Sequence, residues 1–146
     1  MAILIDTGPL VSAIDRTDPA YAMSIAALGR LGRNAIVPSP VVVEVDHLAR
    51  RRVGEEAARR FLKTVVGGGH EIAYATAGLL RRAVELDRKY ANLNLGVVDG
   101  CVMAIAERHE LPIFTFDFRD FRATESAAGP WRLAIDENVY RRSVGQ

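Results

Sequence analysis

Short, continuous apolar runs alternate along the chain with longer stretches in which apolar residues recur every three or four positions. The first run, Ala2 to Ile5, ends at Asp6 and is followed by Thr7-Gly8-Pro9, which reads as a turn. An apolar run closed by turn residues fits a strand buried on both faces of a parallel sheet. Further strands are expected at Ala35–Val37, His70–Tyr74, Ile113–Phe116 and Trp131–Ile135. The helical period appears over Tyr21–Leu31, with Asp18-Pro19 placed as its cap and first position. It returns from a Ser39-Pro40 start to Arg52, then over Glu55–Val66, Ala77–Tyr90 and Val97–His109. Gly54, Gly67-Gly68-Gly69 and Pro112 supply the stops. Arg119–Pro130 reads as a polar loop, and residues 137–146 as a loose tail.

Strands that alternate with helices imply an α/β domain: three layers, α/β/α, around a mostly parallel, short-stranded sheet with right-handed crossovers. The 146 residues suit one domain, 1–146, with no linker, repeat or low-complexity tract. Composition changes this picture only by exclusion. With 49% hydrophobic and 25% charged residues the chain is an ordinary globular one. Its single cysteine, Cys101, excludes an internal disulfide and a multi-cysteine zinc site, and reads as a small core residue. No apolar run approaches a membrane span and no secretory leader is evident, so a cytoplasmic protein without membrane partners is expected.

The candidate chemistry lies in acids with apolar neighbours. Asp6 and Asp117 close the first and fourth strands, where ligands of open parallel sheets bind. Both positions also suit turns or helix caps. Glu44 lies three residues after Val41 and four before Leu48, on a helical stripe expected to face the core; a rotation of that stripe would leave it at the edge. Asp46 falls outside the stripe and has Arg50 at i+4, as a surface ion pair would. Asp99 precedes Val102, Met103 and Ala106 on a second apolar stripe, near a helix start that also favours an acid. Gly100 beside it admits close approach of a backbone or ligand. Like charges brought together raise one another's pKa, and a divalent cation removes that cost. An oxygen-only set without clustered His or Cys suits Mg²⁺ or Mn²⁺, which points to phosphodiester hydrolysis.

On these residues the chain resembles PIN-domain nucleases, and among them the VapC toxins of toxin–antitoxin pairs. The resemblance rests on ILIDTGPL around Asp6, PVVVEVDHL around Glu44, NLGVVDGCVMAIAERHELPIF around Asp99 and TFDFRDF around Asp117, spanning Ile3 to Phe121. It implies a Mg²⁺- or Mn²⁺-dependent endoribonuclease whose acidic pocket is Asp6, Glu44, Asp99 and Asp117, with Asp6 and Asp99 as direct metal ligands. Thr7 would support the pocket and Asp120 would add a further acid. It also implies an RNA substrate, a homodimer and a VapB-type antitoxin.

The charge balance is near zero, but residues 45–64 collect Arg50, Arg51, Arg52, Arg59, Arg60 and Lys63 against three acids. Arg50, Arg51 and Arg52 are candidates for contact with RNA or with an acidic antitoxin segment, and a solvated helix face is the plainer alternative. His47, His70 and His109 lack ligand spacing. A phospho-acceptor receiver domain would need a second acid after Asp6, where Thr7-Gly8 stands, and a haloacid-dehalogenase-type phosphatase would need Asp in place of Gly8. A PIN-fold RNA-binding or interaction module without turnover has the same acids and is separated by a cleavage assay.

Overall fold

The computed structural model describes residues 1–146. The chain runs β1 (Ile3–Ile5), α1 (Thr7–Ile14), α2 (Tyr21–Leu31), β2 (Ala35–Pro38), α3 (Ser39–Arg52), α4 (Glu55–Val66) and β3 (Glu71–Ala73). It continues through α5 (Ala77–Lys89), α6 (Gly96–His109), β4 (Ile113–Phe114), α7 (Phe118–Ala123), β5 (Glu125–Ser126), β6 (Gly129–Pro130) and α8 (Glu137–Ser143). The first four strands form one parallel sheet in the order β3-β2-β1-β4, flanked by helices. Leu4 stands opposite both Ile36 and Ile113, so β1 is central, and Leu4 and Ile5 are fully buried. The chain leaves β1 to one side for β2 and returns on the other as β4. Their C-terminal ends therefore flank the switch point at which parallel sheets present ligand crevices.

The helices obey their sequence patterns. On α3 the buried line is Val41, Val45 and Ala49. On α6 every residue from Gly100 to Ala106 is buried, because α6 lies between α5, α3 and the sheet. A helix apolar on all sides is an interior helix. No helix is long and apolar enough to cross a membrane.

Several elements differ from the sequence reading. Thr7-Gly8-Pro9 is the first turn of α1, not a turn between elements: Asp6 is the N-cap, its side chain accepting from Thr7 N, and Pro9 falls where backbone N–H groups have no helical partner anyway. Asp18 does not cap α2 directly; it accepts from Ala20 N and Ser12 Oγ in the turn before it. Ser39 is the first residue of α3, and its hydroxyl accepts from Ala75 N across the sheet edge. β4 ends at Phe114, short of the expected Phe116, and the next residue, Thr115, donates its hydroxyl to Asp6. The expected polar loop 119–130 holds α7 and the β5–β6 hairpin. The expected strand Trp131–Ile135 reduces to one parallel bridge, Leu133 beside Ile113. Residues 137–143 of the expected tail form α8, capped by Asp136, which accepts from Val139 N.

Candidate active site

Four successive chain segments bring acids to the C-terminal edge of the sheet. Asp6 leaves β1, Glu44 stands in the second turn of α3, Asp99 opens α6 and Asp117 follows β4. Asp6 is the deepest, 5% exposed, and both its oxygens are held: Oδ1 accepts from Thr7 N at 2.8 Å and Oδ2 from Thr115 Oγ1 at 2.7 Å. Thr115 Oγ1 also accepts from Asp117 N at 3.0 Å. One hydroxyl thus ties the end of β1 to the end of β4. Asp117 caps α7, its Oδ1 accepting from Asp120 N at 3.2 Å, which places Asp120 on the same side. Oxygens of Asp99, Asp117 and Asp120 lie within 4.8 Å of one another. Asp6 is outside this triple and Glu44 is half-buried at the edge of the α3 stripe rather than on its centre.

The electrostatics follow from crowding. Burial pushes the Asp6 carboxyl up to about 6 against the pull of its Thr115 and Thr7 bonds, and the charges of Asp117 and Glu44 push it the same way. Asp99 is pushed up to about 7, first by burial and then by Asp6, Asp117, Glu44 and Asp120. Asp117 is raised by burial and by Asp120. Among the ion pairs none includes Asp6, Glu44, Asp99 or Asp117; Asp120 alone has a partner, the exposed Arg119 at 3.4 Å. Buried carboxylates without a counter-charge are costly. The donor set is all oxygen and anionic, which suits a hard divalent cation. Thr7 Oγ1 is buried in this region without a hydrogen-bond partner, a second group that a ligand or its water would satisfy.

The remaining sequence candidates are dispersed. Asp46 pairs with Arg50 at 3.1 Å, as a surface pair. Arg51 and Arg52 end α3, and by helix rise Arg50 to Arg52 stand about 9–12 Å beyond Glu44, away from the acidic edge. Cys101 is fully buried. Gly100 accommodates a backbone, not a ligand: a Cβ there would stand 2.9 Å from Ala83 O of α5. Thr115 is the residue the sequence reading missed. The sequence shows only a hydroxyl residue at the end of an apolar run, two residues before Asp117, which is no signal by itself.

Residues 3–126 match the PIN domain family. The chain is 31% identical over 129 residues to Ribonuclease VapC26 of Mycobacterium tuberculosis (strain ATCC 25618 / H37Rv), a match covering 87% of this chain and 95% of that protein. Among solved structures it resembles VapC20 of Mycobacterium tuberculosis, a toxin that cleaves the sarcin–ricin loop, with a TM-score of 0.75, 18% identity, and coverage of 81% of this chain and 92% of that one. It also resembles a toxin–antitoxin complex from Klebsiella pneumoniae, with a TM-score of 0.61, 23% identity, and coverage of 82% and 90%. The two structural likenesses carry the fold, and the family match and the 31% identical relative carry descent. The chain belongs to the PIN-domain family, within its VapC ribonuclease branch.

Proposed function

We propose that the chain is the toxin of a toxin–antitoxin pair and acts as a Mg²⁺- or Mn²⁺-dependent endoribonuclease. Its acidic pocket is Asp6, Glu44, Asp99 and Asp117, with Asp6 and Asp99 as metal ligands, Asp120 as a further acid and Thr7 in support. The observation that carries this reading is the convergence of Asp99, Asp117 and Asp120 beside Asp6, with the exposed Arg119 on Asp120 as the one cation paired to any of them. The cation, when bound, supplies Lewis acidity to the phosphodiester and to the attacking water. The chain's own part is to hold the carboxylates in place. Thr115 fixes Asp6 and, through Asp117 N, the start of α7; the α7 cap fixes Asp117 against Asp120.

The partner reading has its own support. An open cleft of about 500 Å³ lies between α1, α2 and α4, lined mostly by apolar side chains that include Leu10, Ile25 and Phe61, with Arg16 and Arg60 at its rim. Arg52 faces Asp15 beside it. A basic rim around an apolar cleft suits an amphipathic segment carrying acids, and Arg50, Arg51 and Arg52, at the end of α3 away from the acidic edge, are assigned with it to contact with a VapB-type antitoxin on the strength of Arg52 beside Asp15. Homodimerisation remains part of this proposal and is read by light scattering.

The test is incubation with total cellular RNA followed by mapping of 5′-ends. Reproducible new 5′-phosphate ends are expected with Mg²⁺ or Mn²⁺, and none in EDTA or with Asp99→Asn. Cutting that survives EDTA would overturn the metal-dependent mechanism. RNA binding without cutting in any metal would leave a binding module.

A further inference from the structure

A second cleft adjoins the acidic cluster and shares Asp117 with it. It measures about 220 Å³ and is lined by Phe116, Asp117, Arg119, Glu137, Tyr140 and Arg141 among others. Its floor is aromatic. The rings of Phe116 and Tyr140 lie 4.4 Å apart at 31°, and Phe118 stands 5.7 Å from Tyr140. Its rim carries two exposed arginines, Arg119 (81% exposed) paired with Asp120 at 3.4 Å and Arg141 (55% exposed) paired with Glu137 at 2.6 Å, which an incoming phosphate would have to share with those acids. Glu137 is bound by both Arg122 and Arg141, which neutralises the acid on α8. Tyr140 is held there by a capped helix rather than by a free tail. All of α8 lies beyond residues 3–126, the part matched to the PIN family, while Phe116 to Arg119 lie within it.

We propose that this cleft is a nucleotide subsite for single-stranded RNA beside the scissile phosphate, with a base against the Phe116–Tyr140 rings and its phosphate at Arg119 and Arg141. The inference rests on the ribonuclease reading above and names where the substrate sits within it. Splayed bases of single-stranded RNA stack on aromatic side chains, and arginines at such sites hold the backbone. The cleft is smaller than the ~300 Å³ lower bound of drug-sized pockets, as a site for one base and its phosphate should be. The acidic cluster repels phosphate unless loaded with metal. Arg119 and Arg141 supply the missing attraction on the side where Asp117 opens to solvent.

The test uses the full chain and a fluorescein-labelled single-stranded dodecaribonucleotide, followed by anisotropy with Ca²⁺ in place of Mg²⁺ to limit cutting. Tyr140→Leu keeps an apolar side chain against Phe116 and Phe118 but removes the ring. It should weaken binding by about five- to 150-fold, the usual range for one lost stacking contact, and Tyr140→Phe should restore it. Arg141→Gln should lower the salt slope by about 0.7, as one lost single-strand phosphate contact does. In cleavage of total RNA both variants should raise KM with kcat retained, because they remove binding and leave the acids in place. Wild-type affinity and salt slope in both variants, in a protein that cuts RNA, would overturn the subsite and spare the ribonuclease reading. A wild-type chain that neither binds nor cuts RNA in any metal would remove both. A melting temperature near wild type certifies that α8 is still docked in each variant.

Discussion

Burial and like charge act in the same direction on Asp6 and Asp99, and the consequence is a pH dependence of stability with a definite sign. Their carboxyls titrate at about 6 and about 7 in the folded chain, against 3.8 for an unperturbed Asp. Between those values the native state keeps protons that the unfolded chain has released. The contribution of these two carboxyls to metal-free stability therefore falls as pH rises from about 4 through about 7. Asp99→Asn removes one of the charges responsible. In EDTA the variant should melt at the wild-type temperature near pH 4 and above it at pH 8, while its ribonuclease activity is lost at every pH. Parallel melting curves for the two proteins would show that Asp99 carries no such burden. Thr115 acts through Asp6. Thr115→Val keeps the shape and deletes the hydroxyl, leaving Asp6 Oδ2 and Asp117 N without their partner. Positioning bonds behind metal ligands typically matter by about 10–100-fold, so cleavage should drop by that much. Wild-type cleavage rates in Thr115→Val would reduce that bond to a structural detail. Asp6, Asp99 and Asp117 stood out in the sequence because strand ends and an apolar stripe make a carboxylate conspicuous, whereas Glu44, expected on a core-facing stripe, is half-buried at its edge. Thr115 did not stand out, because threonine is an ordinary strand residue and its role appears only when β1 and β4 are side by side.

At the scale of elements, the strands of the sheet and the five long helices α2 to α6 were legible, since each has a strong period and a clear stop. The misread segments are short: α1, α7 and α8 have 8, 6 and 7 residues, too few for the helical period to show. Each starts at an aspartate that caps it, Asp6, Asp117 and Asp136. A cap is the alternative reading of Asp6 and Asp117 in the sequence, and the structure shows that each is both a cap and a member of the acidic edge; the helix that follows is too short to be read with it. Packing between elements is testable at two glycines. Gly100 lets α6 lie against α5, and a Cβ there would stand 2.9 Å from Ala83 O and 3.0 Å from Ala83 Cβ. Alanine's better helix propensity, worth about 1 kcal/mol, competes with overpacking of about 1–3 kcal/mol. Against backbone the steric effect wins, and the net loss of up to about 2 kcal/mol should lower Tm by up to roughly 8 °C in Gly100→Ala. Gly29 in α2 has nothing within 4 Å of its would-be Cβ, so Gly29→Ala should raise Tm by roughly 2–4 °C. The two substitutions are chemically identical. Equal shifts in calorimetry would mean that the α5–α6 contact is looser than described.

Over the whole molecule, parallel strands sort the charges by edge. Every helix that starts at the C-terminal edge of the sheet runs back toward the other, so α3 presents Glu44 at the acidic end and Arg50 to Arg52 at the opposite one. In the linear sequence these residues look like neighbours of one site; the sheet makes them ends of a rod. Arg50 is further tied to Asp46, and Arg59 and Arg60 to Glu55 and Glu56, which leaves Arg51 and Arg52 as the unpaired cations of α3. Arg52 acts on Asp15, which precedes Arg16 of the apolar cleft between α1, α2 and α4. The cations that do border the acidic edge, Arg119 and Arg141, come from α7 and α8. The two basic regions should therefore separate by partner. Replacing Arg50, Arg51 and Arg52 with Gln should leave RNA affinity and its salt slope as in wild type, because none of the three reaches the acidic edge. The same triple variant should bind a cognate antitoxin with a slower association rate and a flatter salt dependence, as loss of rim charges does at protein interfaces. Stopped-flow association with antitoxin and anisotropy with RNA read the two arms on one protein preparation. A reduced RNA salt slope with unchanged antitoxin kinetics would reverse the assignment and place the RNA path along α3.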